Sequence, residues 1–148
     1  MSCEEETRRV RALRVQWLYR YLDACRLERL YEEEVRELRS DACRVTVNLS
    51  GMPGGSGDGQ TLPRAVERID AARARVEEQL SVCGAVRREV AAVLETIPAA
   101  DDYELMRRRY LLGQTWREVG RAMGYCSRQV RRKHDKIVDA LKMSTDVP

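Results

Sequence analysis

Two stretches of this 148-residue chain repeat an apolar residue at every seventh position, and this spacing limits what it can fold into more than any other feature. From about Glu5 to Asp41 there is neither Pro nor Gly, and Val10, Trp17, Ala24, Tyr31, Leu38 and Val45 mark the repeat. Leu13, Tyr21, Leu27, Val35 and Ala42 widen it to a band, while Glu32, Glu33, Glu34 and Arg36 fall mainly outside it. The pattern predicts a long amphipathic helix with a solvated charged face. The second stretch, Pro63 to Ile97, is stricter: Leu62, Ile69, Val76, Cys83, Val90 and Ile97 form the seam, with Val66, Leu80, Val86 and Leu94 beside it. A seam sustained this long predicts coiled-coil packing. Pro63 suits a helix start, where its missing N–H would have no partner anyway, and Pro98 marks the stop.

Between them, Asn48 to Thr61 holds five of the chain's nine glycines together with Pro53, a composition suited to a loop and not to a core. The two helices are therefore expected to fold back as an antiparallel hairpin or to pair with those of a second chain; the seam serves either arrangement. Gly54 to Thr61 has the glycine spacing of a phosphate-binding loop. Gln60 stands where such a loop needs Lys, however, and only the short Val45-Thr46-Val47 offers the strand that should precede it. The expected reading is a linker, with no cofactor.

Charge is unevenly spread. Residues 103 to 142 hold eleven Lys or Arg against four Asp or Glu, whereas the rest of the chain holds sixteen against twenty, although the formal net charge is only +3. A basic C-terminal segment on a slightly acidic body is the electrostatic footprint expected of a protein that meets a line of phosphates. The five cysteines stand singly, without a CxxC pair, and His134 is the one histidine, so no zinc-ligand spacing is present. Scattered thiols, no apolar stretch of signal length and no run of membrane-spanning length predict a cytoplasmic protein with reduced cysteines.

After Pro98 the pattern changes to three short helices. The first, Asp101 to about Leu112, opens on two carboxylates, carries Leu105, Met106, Tyr110 and Leu111 toward a core, and ends at Gly113. Thr115 with Glu118 forms a capping box for the second, which bears Trp116, Val119, Ala122 and Met123 and stops at Gly124. The third starts at Cys126 or Ser127 and runs to about Lys142, burying Val130, His134, Ile137 and Leu141; His134 is expected to be a packed core residue. At 100° per residue, Arg128 and Arg132 stand nearly opposite that stripe, flanked by Gln129, Arg131, Asp135 and Lys136. Such a helix fits the DNA major groove, where Arg can grip guanine and Gln adenine. The candidate DNA-binding residues are Thr115, Arg117, Ser127, Arg128, Gln129, Arg131, Arg132 and Lys136, with Arg128, Gln129 and Arg132 as base readers. Thr115 and Arg117 lie at a helix N-terminus suited to the phosphate backbone. No nucleophile–base pair or carboxylate cluster suggests an enzyme.

Leu111 to Gly120 and Met123 to Val130 resemble region 4 of sigma-70-type factors. They are more similar still to small phage and prophage regulators of the ArpU and RinA type, and the layout of hairpin, glycine-rich loop and tail is similar to a phage-protein family of Gram-positive hosts. Two departures stand out: Cys126 occupies a position usually held by a capping Ser, and Gly120 one often held by Ala. The resemblance implies an all-α fold, with a helical hairpin over 1–97, its loop at about 48–62, and a sigma-region-4-like helix-turn-helix over 98–148. It implies a transcription regulator that binds double-stranded DNA, with RNA polymerase and a second copy of the chain as further partners. A terminase-small-subunit-like packaging adaptor and a protein-interaction module are the alternatives.

Overall fold

The computed structural model describes residues 2–50 and 61–143, with the side chains of 48–50 outside the description. It is all-α. Among the described residues six helices follow one another: α1 Cys3–Leu18, α2 Arg20–Ser50, α3 Thr61–Leu94, α4 Ala100–Tyr110, α5 Trp116–Met123 and α6 Ser127–Ala140. There is no strand among the described residues.

The single long helix expected at the start is two helices. Ser2 caps α1 through a reciprocal pair with Glu5, the serine hydroxyl accepting from the Glu5 N–H while the Glu5 carboxylate accepts from the Ser2 N–H. The helix is interrupted only at Tyr19, whose N–H reaches the carbonyls of both Val15 and Trp17. The Tyr19 ring meets Tyr110 edge-on at 5.2 Å and its hydroxyl accepts from Arg109, so tertiary packing holds the tightened turn. α2 then runs on to Ser50, taking Val45-Thr46-Val47 as helix and not as a strand. α3 already begins at Thr61, with Pro63 in its first turn, and ends at Leu94, before Ile97. There the N–H groups of Thr96 and Ile97 reach back only three residues, to Val93 and Leu94. Of the expected loop at 48–62, both ends are helical; most of the glycine-rich segment, Gly54 to Gln60 included, lies outside the described residues.

The chain divides into two compact units: Met1–Asp23 with Gly84–Pro148, and Ala24–Cys83. The first has one core, formed by Leu18 of α1, Val86, Val90 and Leu94 of α3, Leu105, Met106 and Tyr110 of α4, Val119 of α5, Val130, Ile137 and Val138 of α6, and Leu141. The boundary expected at 97/98 therefore runs through a core and does not separate two. The reason is size. Three short helices cannot enclose enough apolar surface by themselves, since segments of about 40 residues rarely sustain a core, and each large side chain taken out of water contributes roughly 1.5–3 kcal/mol.

In the second unit, the start of α2 meets the end of α3. The Gln79 side-chain amide donates to the Ala24 carbonyl at 3.0 Å, and Arg75 pairs with Glu34 at 3.2 Å while lying over the Tyr31 ring. This order is antiparallel. Val35, Ala72, Cys83 and Gln79 are buried, but Leu27, Leu30, Val47, Leu62, Val66, Leu80 and Val82 are exposed. Leu27, Leu62, Val66 and Leu80 were expected in the packed band; two helices touch along a single line, so residues on its flanks stay uncovered.

Candidate nucleic-acid interface

Local signals in the sequence place the last three helices. The Thr115 hydroxyl accepts from the Glu118 N–H at 3.2 Å and the Glu118 carboxylate accepts from the Thr115 N–H at 2.8 Å, which starts α5 where its capping box predicts. Gly124 closes α5 in the left-handed region at φ 77°, a conformation glycine adopts without steric cost. α6 follows after a three-residue connection. Its N-cap is Cys126, in extended conformation, which settles the start that the sequence leaves open. The thiol makes no capping hydrogen bond; the Gln129 side-chain oxygen instead accepts from the Cys126 N–H at 3.0 Å.

Gly120 has a packing reason. A Cβ added there would stand 2.4 Å from the Tyr125 carbonyl oxygen, so the turn between α5 and α6 lies directly against this position. The loss of about 1 kcal/mol in helix propensity relative to Ala is what that close approach requires.

The inward stripe of α6 is as the spacing predicts, with Val130, His134, Ile137 and Leu141 buried and Val138 beside them. His134 is a packed, hydrogen-bonded core residue. Its Nε2 lies 2.6 Å from the Tyr110 hydroxyl, its Nδ1 3.1 Å from an Asp135 carboxylate oxygen, and Trp116 meets it edge-on at 4.8 Å. A carboxylate only accepts, so Nδ1 carries the hydrogen and Nε2 accepts from Tyr110. Burial pushes the His134 pKa below its ordinary 6.5 despite the neighbouring Asp135, and burial likewise pushes the Tyr110 hydroxyl up. Both groups are thus neutral at pH 7. Arg109 ties the other elements together, donating to the Gln114 carbonyl and the Tyr19 hydroxyl while stacking 4.2 Å from the Trp116 ring centre.

On the outward side, Thr115, Arg117, Arg128, Gln129, Arg131, Arg132 and Lys136 are exposed and Ser127 is half-buried, so α5 and α6 bring all the candidate residues onto one module. Their freedom differs. Thr115 is engaged as a cap, and the carbonyl of Gln129 is engaged in the cap of α6, leaving its NH2 group to face outward. Arg131 sits 6.0 Å from the Trp116 ring. Arg117, Arg128, Arg132 and Lys136, and with them Arg121, form no ion pair among the described residues.

Sequence reasoning missed the role of α1. Arg11 pairs with both Asp135 and Asp139, its Nε donating to Asp139 at 2.8 Å and one terminal nitrogen lying 3.3 Å from Asp135. Arg14 donates to the carbonyls of Val138 and Asp139 at 2.8 and 2.9 Å, supplying a cation to the carbonyl end of the helix. Arg11 holds the Asp139 carboxyl below its usual range. At 100° per residue, Asp139 points between the directions of Arg128 and Arg132. α1 therefore engages the outward side of the last turns of α6 through Arg11 and Arg14, while Arg128, Arg132 and Lys136 stay exposed. The one available signal was a pair of acids four residues apart, Asp135 and Asp139, inside an otherwise basic helix.

Among the described residues, no group of three or more His, Cys, Asp or Glu could hold a metal ion, and no helix is long and apolar enough to cross a membrane. Compared with known proteins, the chain matches no protein-family model, no curated protein and no solved structure.

Proposed function

We propose that this protein is a sequence-specific DNA-binding transcription regulator of phage or prophage type, working in the cytoplasm of a bacterial host, with α4–α6 as a helix-turn-helix and the α2–α3 pair as a helical hairpin arm. The observation that carries this reading is the set of unpaired, exposed cations on the first two turns of α6 and on neighbouring α5, held on a buried apolar and hydrogen-bonded scaffold. Arg128 and Arg132 enter the major groove as base readers, and Gln129 offers its amide NH2. Arg117, Arg121, Arg131 and Lys136 neutralise phosphates, and the exposed N-terminus of α5 at Thr115 faces the backbone. The arm mediates self-association or contact with RNA polymerase; the exposed Leu27, Leu30, Leu62, Val66, Leu80 and Val82 support an apolar partner for it.

Genomic fragments selected by the purified protein provide the test. A recovered motif bound with an affinity that falls as salt rises, with a log–log slope of about −3 to −4 for four neutralised phosphates, is the expected result. Replacing Arg128 and Arg132 together by Ala should weaken binding to that motif by roughly 30-fold or more, at about 1–3 kcal/mol for each base contact. Unchanged affinity and salt dependence would remove the groove assignment. The exposed apolar flanks of the arm also suit a packaging adaptor. A ring of many subunits in light scattering would favour that reading over a regulator acting as a monomer or dimer.

A further inference from the structure

We propose that Cys25 and Cys83 form an oxidisable dithiol site, which a low-molecular-weight disulfide such as oxidised glutathione converts into a covalent bridge between α2 and α3. The register of the antiparallel pair puts them together. Gln79 donates to the Ala24 carbonyl, Cys25 is the next residue along α2, and Cys83 stands one turn beyond Gln79 on α3. The two thiols interact electrostatically across the helix pair, with Gln79 and Glu28 nearby. The two sulfurs differ in access: Cys25 is half-buried, whereas Cys83 is buried and is raised in pKa by that burial. Cys3, Cys43 and Cys126 are exposed, on α1, on the far part of α2 and at the cap of α6.

This difference in access sets the order of steps. The Cys25 thiolate attacks one sulfur of the oxidised glutathione, forming a mixed disulfide and releasing one glutathione thiolate. The Cys83 thiol gives up its proton to solvent and attacks the Cys25 sulfur; the Cys25–Cys83 bond forms, the mixed bond breaks and the second glutathione leaves. Two protein thiols have then lost two electrons and two protons, and one external disulfide has become two thiols. The product ties the two helices covalently, and the long closed loop between residues 25 and 83 raises the stability of the unit.

The site can be tested on the full chain without reference to DNA binding. Reduced protein is incubated with oxidised glutathione in native buffer, remaining thiols are alkylated, and the peptides are mapped by mass spectrometry. A Cys25–Cys83 linked peptide within a monomer, reversed by dithiothreitol, is expected, together with a rise of several degrees in the melting temperature. In Cys83→Ser the reaction should stop at glutathionylated Cys25, and a variant with Ser at positions 3, 43 and 126 should still form the bridge. Wild-type protein in which Cys25 and Cys83 are both alkylated after oxidation, or in which either pairs mainly with an exposed cysteine, overturns the proposal. The wild-type map decides the matter even if a variant fails to fold.

Discussion

The two units of this chain use the same kind of helix to opposite effect. In the unit formed by its two ends, five helices converge and twelve apolar residues are buried in one cluster. In the Ala24–Cys83 unit two longer helices lie side by side, yet among its described residues only Val35, Ala72 and Cys83 are buried apolar residues and seven large ones are exposed. A seven-residue repeat thus states which side of a helix wants a neighbour, but a core needs neighbours from several directions. The end-built unit should accordingly be rigid, and the other should owe its stability to whatever covers its flanks.

The largest expected effect would break this contrast outright. Leu18 is fully buried, and Leu18→Ala should cost about 2–5 kcal/mol, whereas Leu80→Ala, at a position 53% exposed, should stay within about 0.5 kcal/mol. Urea denaturation of the two variants checks this, and similar losses would mean that the units do not differ as described. Next in size, Gly120→Ala should destabilise the first unit by about 1–3 kcal/mol, because the clash with the Tyr125 carbonyl outweighs the gain in helix propensity. A more stable Gly120→Ala protein would show that the α5–α6 turn yields easily.

A pH series sharpens the comparison further. His134 resists protonation in the folded unit, so below pH 6.5 the unfolded chain takes up a proton that the native state refuses. Stability contributed by the neutral imidazole is therefore intact above that pH and falls as the pH drops below it, by no more than about 1.4 kcal/mol per pH unit. His134→Gln should flatten this slope in melting curves. Asp139, depressed by Arg11, loses its contribution with the same sign but at lower pH, below its ordinary 3.8. The smallest effect belongs to Cys126→Ser, which supplies the missing cap and should stabilise α6 by about 0.5–1 kcal/mol with DNA affinity retained. A lower melting temperature would contradict the assignment of Cys126 as N-cap.

What could be read from the sequence was local. The Thr115–Glu118 box, the stop at Gly124 and the stripe through Val130 and His134 depend on residues within two turns of each other, and the structure has each of them. The same holds for Ser2 and Glu5, whose spacing carries the capping signature although the helix was expected to start only at about Glu5. What escaped the sequence depends on distant parts of the chain. The break at Tyr19 is held by Arg109 and Tyr110, and the end of α6 is engaged by Arg11 and Arg14. Gln129 was legible as a polar outward residue, but its share in the helix cap follows only once Cys126, a weak acceptor, is fixed as the N-cap.

The pairing of α1 with α6 also has a temporal side. Arg11 and Asp139 are 128 positions apart, so on a ribosome adding roughly 5–20 residues per second the arginine waits roughly 6–25 s for its carboxylate. During that interval Leu18 and Val15 lack the part of their core that α6 supplies. A nascent chain halted before α6 would carry α1 to α5 and still be unable to complete the core of the first unit, which needs Val130, Ile137 and Val138.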